Sequence, residues 1–179
     1  ILTLMENVAK KHGDEVFGTW LNDRGDEERN YTFGEVWERS GAIAYHLRNK
    51  LGLKKGDRVI LCYMFGLEFV MAFIGCLRAG VIAVPIYPPN PSNLKASLLK
   101  MQLIIKSCTS SIILTTSKLN QLRMIDEYNP LSETRKFWPK NIKWECTNAV
   151  NLRSTGGKTF DEPTRSMDDI AFLQYTSGS

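Results

Sequence analysis

Histidine is nearly missing from this chain: only His12 and His46 occur. Cysteine is sparse as well. Cys62, Cys76, Cys108 and Cys146 form no C-x-x-C pair, and neither histidine lies near one of them. That excludes a zinc-type ligand pattern. Cys62 and Cys76 sit inside apolar runs, where a thiol behaves as a small hydrophobe. Reduced cysteines of a cytoplasmic protein are therefore expected, not a disulfide framework. Long apolar runs are missing too. The most tempting one, Phe69 to Leu77 ("FVMAFIGCL"), falls well short of the roughly 18 residues a membrane span needs and is bounded by Glu68 and Arg78. It reads as a buried helix, apolar all round. A strong charge of one sign is also absent. The net charge of +4 is too weak to argue for nucleic acid.

What is present suits one domain with a real core: 179 residues, 43% hydrophobic and 23% charged. The first residues, "ILTLMENVAKKHG", carry no start methionine and no basic-then-apolar signal pattern. Leu4 to His12 has helical spacing, stopped by Gly13. "EVFGTWLND" and "NYTF" read as a hairpin around the polar turn "RGDEER". Thr32 and Glu35 stand at capping-box spacing and open a helix running to about Leu51. "DRVILCY", "LEFVMAFIGCLRAG" and "VIAVPIY" make a strand, a buried helix closed by Gly80, and a strand. This is a parallel βαβ unit with a right-handed crossover. The stiff loop "PPNPS" leads to a helix from about Asn93 to Cys108. The strand "SIILTT", the helix "SKLNQLRMIDEY" and a short strand "NIKWEC" follow. "DIAFLQYT" reads as a last strand. The fold class is α/β: a doubly wound, mainly parallel sheet with flanking helices, covered on both faces.

Sheets of this kind bind ligands beyond the C-terminal ends of their strands. "TSGS", Thr176 to Ser179, leaves such an end. Three hydroxyls, a glycine that admits close approach, and successive backbone N–H groups suit phosphate oxygens. A generic Ser/Gly turn is the alternative. "GGKT" at Gly156 to Thr159 lacks the first glycine of a P-loop and its flanking strand and helix, so it reads as a surface loop. "RKFWPKNIKW", Arg135 to Trp144, mixes basic and aromatic residues. Its proline break favours a structured connector over a nucleic-acid site. His12 lies at a helix end and His46 inside a long helix, and no serine, cysteine or carboxylate pairs with either in the sequence. No catalytic residue, general base or metal ligand is assigned.

The segments "YTFGEVWERSGAIAYHLRNKLGLKKGDRVIL", "FVMAFIGCLRAGVIAVPIYPPNP" and "DDIAFLQYTSGS" resemble the N-terminal part of adenylate-forming (acyl-activating) enzymes. "VPIYPPNP" and "FLQYTSGS" look most like fatty acyl-AMP ligases. The likeness is firm over Tyr31 to Thr115 and Asp168 to Ser179, and loose over Asn129 to Pro163. It implies that residues 1–179 are the N-terminal portion of an AMP-binding domain, cut within its phosphate-binding loop. It implies further that Thr176, Ser177, Gly178 and Ser179 contact the β- and γ-phosphates of ATP. The reaction implied is activation of a fatty acid to an acyl-adenylate with release of pyrophosphate. The acyl group then passes to an acyl-carrier protein or to CoA. ATP and Mg2+ would be held mainly by residues beyond this segment, so the segment alone is expected to be inactive. The alternatives are a long-chain acyl-CoA synthetase and a non-catalytic adenylation-like domain that senses lipid or acts as a scaffold.

Overall fold

The computed structural model describes residues 1–150, 162–164 and 166–176. Helix α1 (Leu2–Lys11) precedes a hairpin of β1 (Val16–Leu21) and β2 (Glu27–Thr32). The hairpin turn is shorter than expected. Asn22 Oδ1 accepts from the backbone N–H groups of Arg24 and Asp26, which closes the loop and lets β2 begin at Glu27. The capping box forms as predicted: Glu35 N–H donates to Thr32 Oγ1 (3.2 Å) and Thr32 N–H to Glu35 Oε2 (3.0 Å). It starts α2 (Phe33–Tyr45), whose end widens into a π turn over His46–Lys50.

The main sheet holds β3 (Arg58–Cys62), β4 (Ile82–Ile86), β5 (Ile112–Thr115) and β6 (Lys143–Cys146). All pairings are parallel, in the order β4-β3-β5-β6. Helix α3 (Leu67–Ala79) crosses from β3 to β4, α4 (Leu94–Cys108) from β4 to β5, and α5 (Ser117–Tyr128) from β5 to β6. The period of two sends alternate side chains to opposite faces. Val59, Leu61, Ala83 and Leu114 pack with α2 and α3 on one face. Ile60, Cys62, Val84 and Ile113 pack with Met101, Ile104 and Cys108 of α4 on the other. The sheet is therefore doubly wound, as expected. Each of these strand residues is fully buried, and each contributes about 1.5–3 kcal/mol by leaving water if it is a large aliphatic.

No residue of α3 is exposed, so the apolar run is the buried helix its pattern predicts. It lies so close to α2 that a Cβ at Gly75 would come within 2.8 Å of Ile43 Cγ2 and 3.1 Å of the Ser40 carbonyl. Gly80 ends it in the left-handed region at φ 70°.

"DIAFLQYT" departs from expectation. Instead of a strand it makes a single parallel bridge, Phe172 to Ala83, through Ala83 N–H to Ala171 O and Leu173 N–H to Ala83 O. The reason is in β4. Two residues beyond Ala83, the same edge presents Pro85, which has no N–H to offer the Leu173 carbonyl. The ladder ends there. The "GGKT" loop lies outside the described residues. In "RKFWPKNIKW", Trp138 is buried and stands 6.0 Å from the Trp144 ring, as a structured connector requires.

Candidate functional site

The strand order places a switch at β3, with β4 on one side and β5 on the other. Chain leaving β3 and β4 at their C-terminal ends diverges there, and a cleft of about 880 Å³ opens between the departing loops. One wall is Tyr63 to Gly66, directly after β3. A second is Pro85 to Pro88 at the end of β4. Helix α3 contributes Phe69 and Phe73, helix α4 Lys100, Met101 and Ile104, and the bridging segment Phe172 and Gln174 to Thr176.

The lining is apolar and aromatic. Tyr63, Phe69, Phe73 and Phe172 form a chain of rings with successive centroid distances of 6.3, 6.0 and 5.7 Å. Tyr63 is buried and its hydroxyl pairs with Thr147 Oγ1 at 2.8 Å. Burial drives its phenol pKa well above the ordinary value, so it stays neutral. Polar groups are few: Asn90, Ser97 and Lys100 on the α4 side, and Gln174 and Thr176 opposite. Tyr175 is pinned by its hydroxyl donating to Ser107 Oγ (2.9 Å). Phe65 and Tyr87, over 80% exposed, stand at the mouth. A large apolar chamber with a few polar groups at its rim suits a ligand that is mostly hydrocarbon with one polar end.

Of the residues predicted to bind phosphate, Thr176 is exposed and lines this cleft. Ser177, Gly178 and Ser179 lie outside the described residues. The aromatic wall was not read from the sequence. Its signal was available, because Tyr63–Phe65 and Tyr87 directly follow the two strands whose ends face a ligand.

The histidines need a correction. Each has a carboxylate partner: His12 Nδ1 stands 2.8 Å from Glu15 Oε1, and His46 Nε2 stands 3.2 Å from Glu145 Oε2. The second pair joins residues 99 positions apart, which no local pattern announces. Burial acts to raise the Glu145 pKa, but hydrogen bonds from Lys143 and His46 bring it below the ordinary value. Neither histidine lines the cleft. Of the cysteines, Cys62, Cys76 and Cys108 are buried; burial pushes the Cys62 thiol up to about 12 and Cys76 higher still. Among the described residues no three His, Cys, Asp or Glu side chains gather to hold a metal ion, and no helix is long and apolar enough to cross a membrane.

The family model for AMP-binding enzymes matches residues 5–179. The chain belongs to the AMP-binding enzyme family. The chain is 35% identical over 162 residues to the medium-chain-fatty-acid–[acyl-carrier-protein] ligase JamA of Moorena producens (strain JHB), a match covering 90% of the chain and 26% of that protein. It is 34% identical over 168 residues to Disco-interacting protein 2 homolog B-A of Danio rerio, covering 94% of the chain and 10% of that protein. Among solved structures it is similar to a fatty acyl-adenylate ligase from L. pneumophila in complex with acyl adenylate and pyrophosphate. There the TM-score is 0.79 at 30% identity, covering 99% of this chain and 28% of that one. The chain thus spans roughly a quarter of the length of these two ligases.

Proposed function

We propose that this chain serves an enzyme that activates a fatty acid with ATP, forms an acyl-adenylate, releases pyrophosphate, and hands the acyl group to the thiol of an acyl-carrier protein. The observation that carries this reading is the aromatic-walled cleft at the C-terminal ends of β3 and β4, with Thr176 on its rim. The hydrocarbon tail would lie along the ring chain from Tyr63 to Phe172, burying apolar surface at about 0.8 kcal/mol per methylene. The carboxylate would then face the rim. Its oxygen attacks the α-phosphorus of ATP; the bond from that phosphorus to the bridging oxygen breaks, and pyrophosphate leaves with the electron pair. Such chemistry is mostly positioning and charge neutralisation.

Thr176 offers a hydroxyl donor at the rim, and the hydroxyls and backbone N–H groups of Ser177, Gly178 and Ser179 complete our reading of a grip on the leaving pyrophosphate. Mg2+ would neutralise phosphate charge. No residue of this chain is assigned to it, because no carboxylate cluster stands at the rim among the described residues. Buried, reduced thiols fit a cytoplasmic setting.

The testing experiment is exchange of labelled pyrophosphate into ATP by the full-length protein. Exchange that requires a medium- or long-chain acid supports the reading. Transfer to carrier protein and not to CoA supports the acceptor; transfer to CoA makes the protein an acyl-CoA synthetase. A second reading is a non-catalytic adenylation-like domain; the chain is also similar to Disco-interacting protein 2 homolog B-A. It predicts ATP or lipid binding without exchange. The polypeptide 1–179 by itself is expected to catalyse nothing.

A further inference from the structure

Residues 166–176 run the length of β4 and reach the cleft rim almost without a ladder. Among the described residues, their backbone bonds to β4 are the two at Ala83, and Pro85 removes the next donor. A set of polar bonds holds the start of this segment at the opposite end of the sheet. Lys55 Nζ stands 2.7 Å from Asp169 Oδ2 and donates to Thr164 O at 2.8 Å. Asp169 Oδ2 also accepts from Ser166 N–H at 2.8 Å, which closes the turn. Pro163 seats against Gly80, where a Cβ would come within 2.7 Å of Pro163 Cγ. Lys55 is itself fixed to the start of β4, because its turn bonds through Gly56 N–H to Gly80 O (2.9 Å) and Ile82 N–H to Asp57 O (2.8 Å). One turn therefore grips both β4 and the segment beside it.

We propose that Lys55, acting through Asp169, is a positioning residue: it sets the register of residues 170–176 along β4 and so the place of Thr176 at the cleft rim. An extended chain advances about 3.3 Å per residue. A slip of one position would carry Thr176 farther than the few tenths of an ångström that separate a good hydrogen bond from none. The segment has one backbone bridge to resist such a slip. Its other restraints are side chains: Phe172 against Phe73, Leu173 and Tyr175 on the α4-side core, and the Tyr175 hydroxyl on Ser107. The consequence for phosphate binding rests on the reading that Thr176 begins the phosphate grip. The consequence for the segment's order does not.

The test uses the full-length protein with Lys55→Met, Lys55→Arg and Asp169→Asn. The asparagine substitution keeps an oxygen for the Ser166 N–H but loses the ion pair. Amide hydrogen exchange across 170–176 should quicken about five-fold in Lys55→Met and Asp169→Asn, and stay at the wild-type rate in Lys55→Arg. In pyrophosphate exchange, the KM for ATP should rise about five-fold in the same two variants with kcat within two-fold, the size of a whole exposed ion pair. The thermal midpoint should hold still, since an exposed pair adds little to global stability. Unchanged amide exchange in Lys55→Met would overturn the proposal. So would a KM for ATP that rises equally in Lys55→Arg. If the wild type shows no pyrophosphate exchange, the activity reading falls, and amide exchange still decides the positioning role.

Discussion

Asp126 on α5 offers the sharpest stability test. Its carboxylate accepts from three donors of the connector that follows: Ser132 Oγ at 2.6 Å, the Thr134 hydroxyl shared between both oxygens at 2.9 and 3.0 Å, and Trp138 Nε1 at 2.6 Å. The connector in turn buttresses the cleft wall, because Gln102 Nε2 on α4 donates to Phe137 O at 2.6 Å. Replacing Asp126 with alanine strands the indole N–H of Trp138, a residue only 4% exposed. An orphaned buried donor costs about 1–3 kcal/mol, and the lost hydroxyl bonds add about 1 more. The expected loss for Asp126→Ala is therefore about 3 kcal/mol. Asp126→Asn should cost about 1 kcal/mol. Its remaining oxygen can serve Trp138, and the Ser132 and Thr134 hydroxyls can turn to accept from its amide.

Protonation should imitate the asparagine. Burial acts to raise the Asp126 pKa, but the bonds from Ser132, Trp138 and Thr134 bring it below the ordinary carboxylate value. A depressed folded pKa gives stability that is complete above about pH 4 and is lost as pH falls through the folded value. Urea denaturation at pH 7, followed by emission of the Trp138–Trp144 pair, measures the two variants, and the same titration at falling pH measures the wild-type loss. Asp126→Ala and Asp126→Asn costing the same, or either costing under about 0.5 kcal/mol, would refute the reasoning that an unpaired indole dominates.

Three further outcomes are expected. Gly75→Val should destabilise the protein by about 2–3 kcal/mol in the same assay, since its Cβ already meets Ile43 and the Ser40 carbonyl from the packed α2. Phe172→Ala should raise the KM for the fatty acid about tenfold in pyrophosphate exchange, because the ring lines the cleft against Phe73. Cys62 and Cys76 should fail to react with a thiol reagent in the native protein at pH 8, because both are buried and their thiols stay protonated; labelling within minutes would contradict their placement in the core.

Most elements were legible because their signals are local. The Thr32–Glu35 capping box, the apolar α3 ended by Gly80, and the uninterrupted strands "VIL" and "IIL" each depend on residues within a few positions. The doubly wound class followed from their order. What stayed hidden depends on distant partners. His46 finds Glu145, Lys55 finds Asp169, and Tyr63 finds Thr147 only after the sheet has formed. Half of the cleft was hidden for the same reason. Tyr63, Phe69 and Phe73 look like core residues in the sequence, and they are partly core; their other side faces a space that exists only because β3 and β4 release the chain in opposite directions.

Pro85 shows how one residue can mislead a strand reading and still explain the structure. A proline inside "VIAVPIY" is compatible with a buried strand only if its missing N–H points away from the neighbouring strand. It does: β3 lies on the other side, and Leu61 faces Pro85 in register. The proline therefore marks the edge of the sheet, and the edge is where residues 171–173 must attach. It also limits that attachment to one bridge. Pro85→Ala would restore a donor opposite Leu173 O, worth about 1 kcal/mol locally, while freeing the unfolded chain by about 0.4–1 kcal/mol. The two nearly cancel in global stability. Amide exchange should therefore slow by about five-fold at residues 171–175 with the thermal midpoint almost unmoved. An equal slowing across β5 and β6 would mean that the whole sheet had tightened, and that Pro85 does not act at this edge alone.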